Sequence, residues 1–398
     1  MIIKPKIRGC VCVTAHPDGC AANVRQQVNY VLSKPLLSHP PKRVLVIGSS
    51  MGYGLASRIV AAFSGRASTV GVFLEREGTK EKSASAGWYN SVAFEKSAIK
   101  EKLYAKSLNG DAFSHEMKQK VISVVQRDLG QIDLMVYSLA SPRRLDPVSG
   151  KMYRSTLKPI GSALTTKSLC MDTKAIESVI LEAATEEEIF HTIKVMGGED
   201  WKMWIDAMAD ASILSRNFRT ISYSYLGPEL TWAIYINGTI GRAKLNLEQT
   251  AKEINKKFGD GTALISFNKA VVTQASAAIP SVPLYISILY KVMKKMDLHE
   301  GCIEQMYRLC MDHLCSWQGP RLDANGHIRL DSLEMREDVQ AEVTRIWEII
   351  TTEMIDVVSD FKGFQREFDC LFGFGLPGID YSKETDPIRS IASLVQIH

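Results

Sequence analysis

Residues 43–63 read RVLVIGSSMGYGLASRIVAAF. The opening RVLVI is a short, almost continuous apolar run bounded by turn residues, the signature of a strand buried on both faces. Gly48, Gly52 and Gly54 follow as G-x-x-x-G-x-G, and LASRIVAAF then reads as a helix. Glycines let a chain turn tightly and lie against a ligand with no Cβ in the way. A helix opening behind such a turn aims free backbone N–H groups at an anion, as in sites for a dinucleotide pyrophosphate. Gly48, Ser49, Ser50, Met51, Gly52 and Tyr53 are therefore candidate cofactor-binding residues. Glycine-rich turns also occur as plain connectors, so the next strand matters. TVGVFL carries Leu74 and delivers Glu75 at its end, 21 residues beyond Gly54. An acidic residue there accepts hydrogen bonds from the adenosine ribose hydroxyls.

Working outward, LYAKSL reads as a third strand, ending before Gly110 and Asp111, and a helix is predicted around 115–129. IDLMVYSLA reads as a fourth strand. Strands alternating with helices predict an α/β fold: a doubly wound parallel Rossmann-type sheet. Asp111 and Ala112 are then placed near an adenine, and Leu139 and Ala140 at the crevice where strand order reverses. From 142 the pattern changes. SALTTKSLCMD and KAIESVILEA predict a hairpin, TEEE at 185–188 a helix capping box, and Trp201, Trp204, Ile205 and Met208 a core-facing helical stripe. This is an inserted β-hairpin and helical region on the substrate side. The sheet pattern resumes at TISYSYLG and TALISFN, and the chain beyond 280 reads as mostly helical. The expected division is 1–141, 142–218, 219–320 and 321–398, the last a helical C-terminal part.

Composition narrows the function classes. Of 398 residues, 45% are hydrophobic and 23% charged, with a net charge of +4. The basic residues are dispersed, which argues against nucleic acid. The most apolar stretch, AIPSVPLYISILYKVM, carries two prolines and is too short to span a bilayer. With Lys4, Lys6 and Arg8 interrupting the start, these features predict a cytoplasmic protein. The eight cysteines, Cys10 among them, show no C-x-x-C pair and read as buried thiols. Cys310, His313 and Cys315 look superficially like metal ligands. On a helix Cys310 and Cys315 would lie about 140° apart, so a core helix is predicted and no metal.

YINGTIGRAK, residues 235–244, separates Tyr235 from Lys244 by eight residues. On one continuous helix the two side chains would point to opposite faces. Gly238 and Gly241 allow a break, with one segment ending after Tyr235 and another carrying Lys244. Folded back in this way, the phenol can donate to a carbonyl oxygen that becomes enolate-like. The ammonium would reach the nicotinamide ribose and lower the tyrosine pKa.

These motifs, together with AHPDGC, GWYN, VYSLASP, KVMGGEDW, YSYLGPE, VTQASAAIP and HEGCIEQ, run through essentially the whole chain. In this the sequence resembles the NADH-dependent trans-2-enoyl thioester reductases of the FabV type, enlarged relatives of the short-chain dehydrogenases. The resemblance implies a monomer that uses NADH to saturate enoyl-acyl-carrier-protein or enoyl-CoA. It implies Tyr235 as proton donor, Lys244 at the cofactor, Tyr225 at the substrate carbonyl, and Thr273, Gln274 and Ala275 lining the cofactor. It also carries a flavin label for the C-terminal part, where no flavin fingerprint is legible. His16 reads as structural. Helices between 280 and 317 are candidates to cover an acyl chain, though their apolar faces taken alone read first as plain core. Two other readings stand beside this one: a carbonyl reductase of the short-chain type, in which Tyr-x3-Lys is the usual spacing, and a non-enzymatic NADH sensor, which needs neither Tyr235 nor Lys244.

Overall fold

Alternate residues of one strand feed two different cores. In β3 (Arg43–Ile47), Val44 and Val46 face one apolar layer while Leu45 and Ile47 face another, as period-two geometry requires of a strand covered on both faces. The computed structural model describes residues 1–8 and 11–396; Cys10 lies outside them. β1 (Ile7–Arg8) and β2 (Val11–Cys12) form a small ribbon. The main sheet comprises β3, β4 (Ser68–Phe73), β5 (Ala105–Asn109) and β6 (Ile132–Tyr137). Two antiparallel excursions follow: β7 (Arg143–Leu145) with β8 (Met152–Arg154), and β9 (Leu164–Leu169) with β10 (Ile176–Leu181). β11 (Leu214–Ser224), β12 (Ala263–Phe267), β13 (Ile328–Arg329) and β14 (Val395–Gln396) return to the sheet. Its order is β13-β12-β11-β6-β3-β4-β5-β14, every pairing parallel. The predicted doubly wound sheet is present, with its reversal point between β3 and β6.

α1 (Pro17–Leu32), α2 (Gly52–Phe63), α3 (Ala86–Lys100) and α11 (Cys302–Leu309) contribute to the layer on the Val44 side. α4 (His115–Asp128), α6 (Glu199–Asp210) and α8 (Thr239–Phe258) form the other. Trp201, Trp204, Ile205 and Met208 of α6 are all fully buried there. A third core joins α10 (Val282–Lys295), α12 (Glu337–Ile349) and α14 (Phe361–Leu371) with Trp88 and Tyr89 of α3. The capping box at Thr185 and Glu188 starts α5 (Glu186–Met196) as predicted.

The structure departs from the expectations in two places. The C-terminal part is not only helical, since β13 and β14 extend the sheet at opposite edges. At two residues each, they are too short to show a period. Residues 310–314 form a π-helical turn rather than continuing α11, and Cys315 N–H bonds to Cys310 C=O. This wider turn brings the two cysteines closer together around the axis than an α-helix would. No helix among the described residues is long and apolar enough to cross a membrane.

Candidate active site

The glycine turn after β3 is built from close backbone approaches. A Cβ on Gly48, which has φ +83°, would lie 2.1 Å from the Ser138 carbonyl oxygen. On Gly54 it would lie 1.9 Å from the Gly48 oxygen. No side chain fits at either place, so the turn packs tightly against the end of β6 and opens α2 directly behind it. Ser50 Oγ donates to Glu75 Oε1 at 2.7 Å, linking this turn to the next strand end. Burial pushes the Glu75 carboxyl above its usual range, opposed by the hydroxyls of Ser85 and Ser50 and by Arg76. Asn109 at the end of β5 holds Glu75 through both its N–H and its C=O. Leu74 is 71% exposed at the rim. The Arg76 guanidinium reaches the Ser83 carbonyl at 3.5 Å.

The other predicted cofactor residues follow the C-terminal ends of β5, β6 and β12. Asp111 uses one carboxylate oxygen on Phe113 N–H, and the Ala112 carbonyl is fixed by Lys118 and Trp204. Leu139 is half-buried and Ala140 exposed just beyond β6. Thr273 caps α9 (Gln274–Ala277), which carries Gln274 and Ala275. Its methyl lies 4.0 Å from where a Gly52 Cβ would stand, so this segment faces the glycine turn. Met51 packs on the third core, and the Tyr53 hydroxyl donates to the Lys269 carbonyl at 2.6 Å. A tight glycine turn, a helix N-terminus and a carboxylate at the second strand end fit a dinucleotide.

The Tyr–Lys segment is broken, as predicted. α7 (Glu229–Trp232) ends, a turn carries Tyr235, and α8 starts at Thr239. A Cβ on Gly241 would lie 2.3 Å from the Tyr235 carbonyl oxygen and 2.1 Å from that of Ile236. Glycine therefore lets the turn fold back against the first turn of α8. Residues 156–160 clamp the break: Thr239 N–H donates to Lys158 C=O, and Ile160 N–H to Asn237 C=O.

The Tyr235 ring meets Tyr225 edge-on, with centroids 4.7 Å apart. The electrostatics differ from the expectation. The Tyr235 phenol is pushed up, by burial and then by the Glu334 carboxyl, and Lys244 does not lower it. Lys244 Nζ instead donates to the Tyr223 carbonyl at 3.2 Å, and burial pulls its pKa down to about 8.

Glu334 was not predicted. Fully buried, it accepts from Tyr225 at 2.9 Å and Tyr285 at 2.6 Å through Oε1, and from Ala270 N–H at 2.7 Å through Oε2. No local pattern marks it, because its partners lie between 49 and 109 residues away. Burial pushes the Glu334 carboxyl above its usual range, opposed by buried Lys269, which burial itself pulls down to about 8. His16 caps α1, accepting from Gly19 N–H.

Sheet order, glycine turn, acidic strand end and broken Tyr–Lys segment together define a dinucleotide-binding α/β reductase. Comparison with known proteins specifies which kind. Residues 82–315 match the trans-2-enoyl-CoA reductase catalytic region, and 2–80 the NAD(P)H binding domain of trans-2-enoyl-CoA reductase. The enoyl-[acyl-carrier-protein] reductase [NADH] of Saccharophagus degradans is 54% identical over 97% of this chain and 98% of its own. That of Coxiella burnetii is 52% identical over 99% and 98%. The structure of Clostridium acetobutulicum trans-2-enoyl-CoA reductase in complex with NADH superposes with a TM-score of 0.94 at 43% identity, over 97% of this chain and 98% of that one. The chain belongs to the trans-2-enoyl-CoA reductase family.

Residues 322–385 match a model described as an enoyl reductase FAD binding domain. The residues there do not form a flavin cradle. The one strand among them, β13, is followed by Leu330 and Asp331 rather than by a glycine turn. The inward side chains of α12 and α14, including Val339, Val343, Phe364 and Phe368, are spent in the third core.

Proposed function

We propose that this protein is an NADH-dependent reductase of trans-2-enoyl thioesters, forming saturated acyl thioesters in fatty acid biosynthesis. One observation carries the reading. The Tyr235 hydroxyl has no hydrogen-bond partner among the described residues, and its ring abuts Tyr225. Residues 48–53, Glu75, Asp111, Ala112, Leu139, Ala140 and 273–275 would hold NADH, which when bound would supply hydride for Cβ of the enoyl group. Negative charge develops on the thioester oxygen, and Tyr235 donates a hydrogen bond to it. A preorganised donor of this kind is a large catalytic contribution. Because burial raises its pKa, the phenol stays protonated and acts as a donor, not as a base. A proton from solvent added to Cα of the enolate completes the saturation and leaves the Tyr235 phenol protonated.

Lys244, near the start of α8, would bind the nicotinamide ribose. The Tyr225 hydroxyl is committed to Glu334, so Tyr225 orients the Tyr235 ring and borders the substrate carbonyl. α10 covers the acyl chain, and a monomeric cytoplasmic enzyme completes the proposal.

NADH consumption with crotonyl-CoA, with an enoyl-acyl-carrier-protein and with a simple ketone tests it. Turnover on a thioester and none on the ketone is expected. No turnover on either thioester refutes the reading.

A further inference from the structure

The chain leaves the crevice at Leu139 and Ala140, makes the β7–β8 ribbon, and returns as the 156–160 segment that clamps the break beside Tyr235. The ribbon is thus joined at one end to Leu139 and Ala140 and at the other to the segment beside Tyr235. Its two faces are unlike. Inward, Arg144 and Tyr153 are a buried cross-strand pair. Arg144 is neutralised by Asp146 at 3.3 Å and Glu199 at 2.8 Å, and Tyr153 packs on His191 and Phe190 of α5.

Outward, Arg143 stands directly opposite Arg154, and Leu145 opposite Met152. Leu145 is 48% exposed and Met152 41% exposed, with Val148 in the connecting turn at 76%. Exposed Lys151 adds a third positive charge, while the ribbon's one carboxylate, Asp146, is buried. Neither Arg143 nor Arg154 forms an ion pair among the described residues. Like charges directly across a two-stranded ribbon oppose its pairing, and nothing within the fold offsets this pair.

Resting on the thioester reductase reading, we propose that the outer face of this ribbon docks an acidic carrier protein that delivers the enoyl group on a flexible arm. An acidic surface relieves the Arg143–Arg154 repulsion, and its apolar residues cover Leu145, Val148 and Met152. Charge complementarity of this kind steers encounter and weakens with salt. A carrier seated on the rim places its arm next to Tyr235, with no rearrangement of the crevice.

The test is the double variant Arg143→Glu/Arg154→Glu in the full chain, assayed with an enoyl-acyl-carrier-protein and with crotonyl-CoA. KM for the carrier-protein substrate should rise by about tenfold or more, and its salt dependence should flatten. KM and kcat for crotonyl-CoA should stay within about twofold of wild type, which also shows that the variant folds. The milder Arg143→Gln/Arg154→Gln should show a smaller rise on the carrier-protein substrate alone. An unchanged KM for the carrier-protein substrate overturns the proposal. So does an equal rise for both thioesters, which would mark these arginines as holding a phosphate common to the two arms. Failure of the wild type on both thioesters would instead refute the underlying function.

Discussion

Gly48 and Gly54 in the cofactor turn, and Gly238 and Gly241 in the Tyr–Lys break, all stand where a Cβ would strike backbone within about 2 Å. The first pair presses two strand ends together, so that a helix N-terminus is bare for a ligand. The second presses a chain segment back on itself between Tyr235 and Lys244, the phenol and the ammonium proposed to serve one site. One pair shapes what binds and the other shapes what reacts. The comparison teaches that a glycine pair gains its meaning from the atoms it approaches, not from its spacing.

The largest expected effect is on the reacting side. Tyr235→Phe should fold normally and lose roughly a hundred- to thousandfold in kcat, the about 2.7–4 kcal/mol of a lost oxyanion donor. Steady-state assays on crotonyl-CoA measure it, and a wild-type rate removes Tyr235 from the mechanism. Gly241→Ala then separates the two glycine pairs. It should lower kcat on the order of a hundredfold by shifting Tyr235 about 1 Å, with little change in the NADH Kd. Gly54→Ala should instead raise that Kd on the order of tenfold. Fluorescence titration of both variants decides, and the reverse pattern would break the comparison.

Lys244→Met should weaken NADH by roughly tenfold or more, the loss of a charge-assisted hydrogen bond. In the wild type, affinity should fall as pH rises through about 8, where buried Lys244 loses its proton; in the variant the profile should be flat. Stability of the free protein runs the other way. Lys244 and Lys269 both titrate near 8 when folded, below the ordinary lysine value of 10.5. Between those values the unfolded chain holds more protons, so this term makes stability rise with pH. Denaturant titrations across that window check the sign.

Glu75→Ser is the smallest change expected, about tenfold in cofactor preference. One-third of the roughly 4 kcal/mol repulsion between unit charges 4 Å apart suffices for that. The ratio of kcat/KM for NADH and NADPH should move toward NADPH. The shift should shrink when Arg76→Ala is added. A ratio unmoved by Glu75→Ser would show that the carboxylate does not select.

What was legible in the sequence follows range. The β3 turn, Glu75 and the capping box at Thr185 are local patterns, each decided within about two dozen residues. The break before Lys244 was also legible, because the two glycines that permit it are in the segment. Glu334 was not, since a buried carboxylate looks like any other until Tyr225 just past β11, Tyr285 of α10 and Ala270 surround it. The tyrosine pKa was misread for the same reason. Lys244 is near in sequence, but the group that acts on Tyr235 besides burial is Glu334, 99 residues away.

β14 reaches across the molecule to β5, and Asn109, which holds Glu75, also donates to Gln396 at 3.4 Å across a separation of 287 residues. Contacts between such distant segments carry a large loop-closure cost and form late in folding. The adenosine end of the crevice is therefore expected to mature after the sheet that carries it. Refolding followed by tryptophan fluorescence should run ahead of the recovery of NADH binding, and the lag between them times the arrival of that last strand.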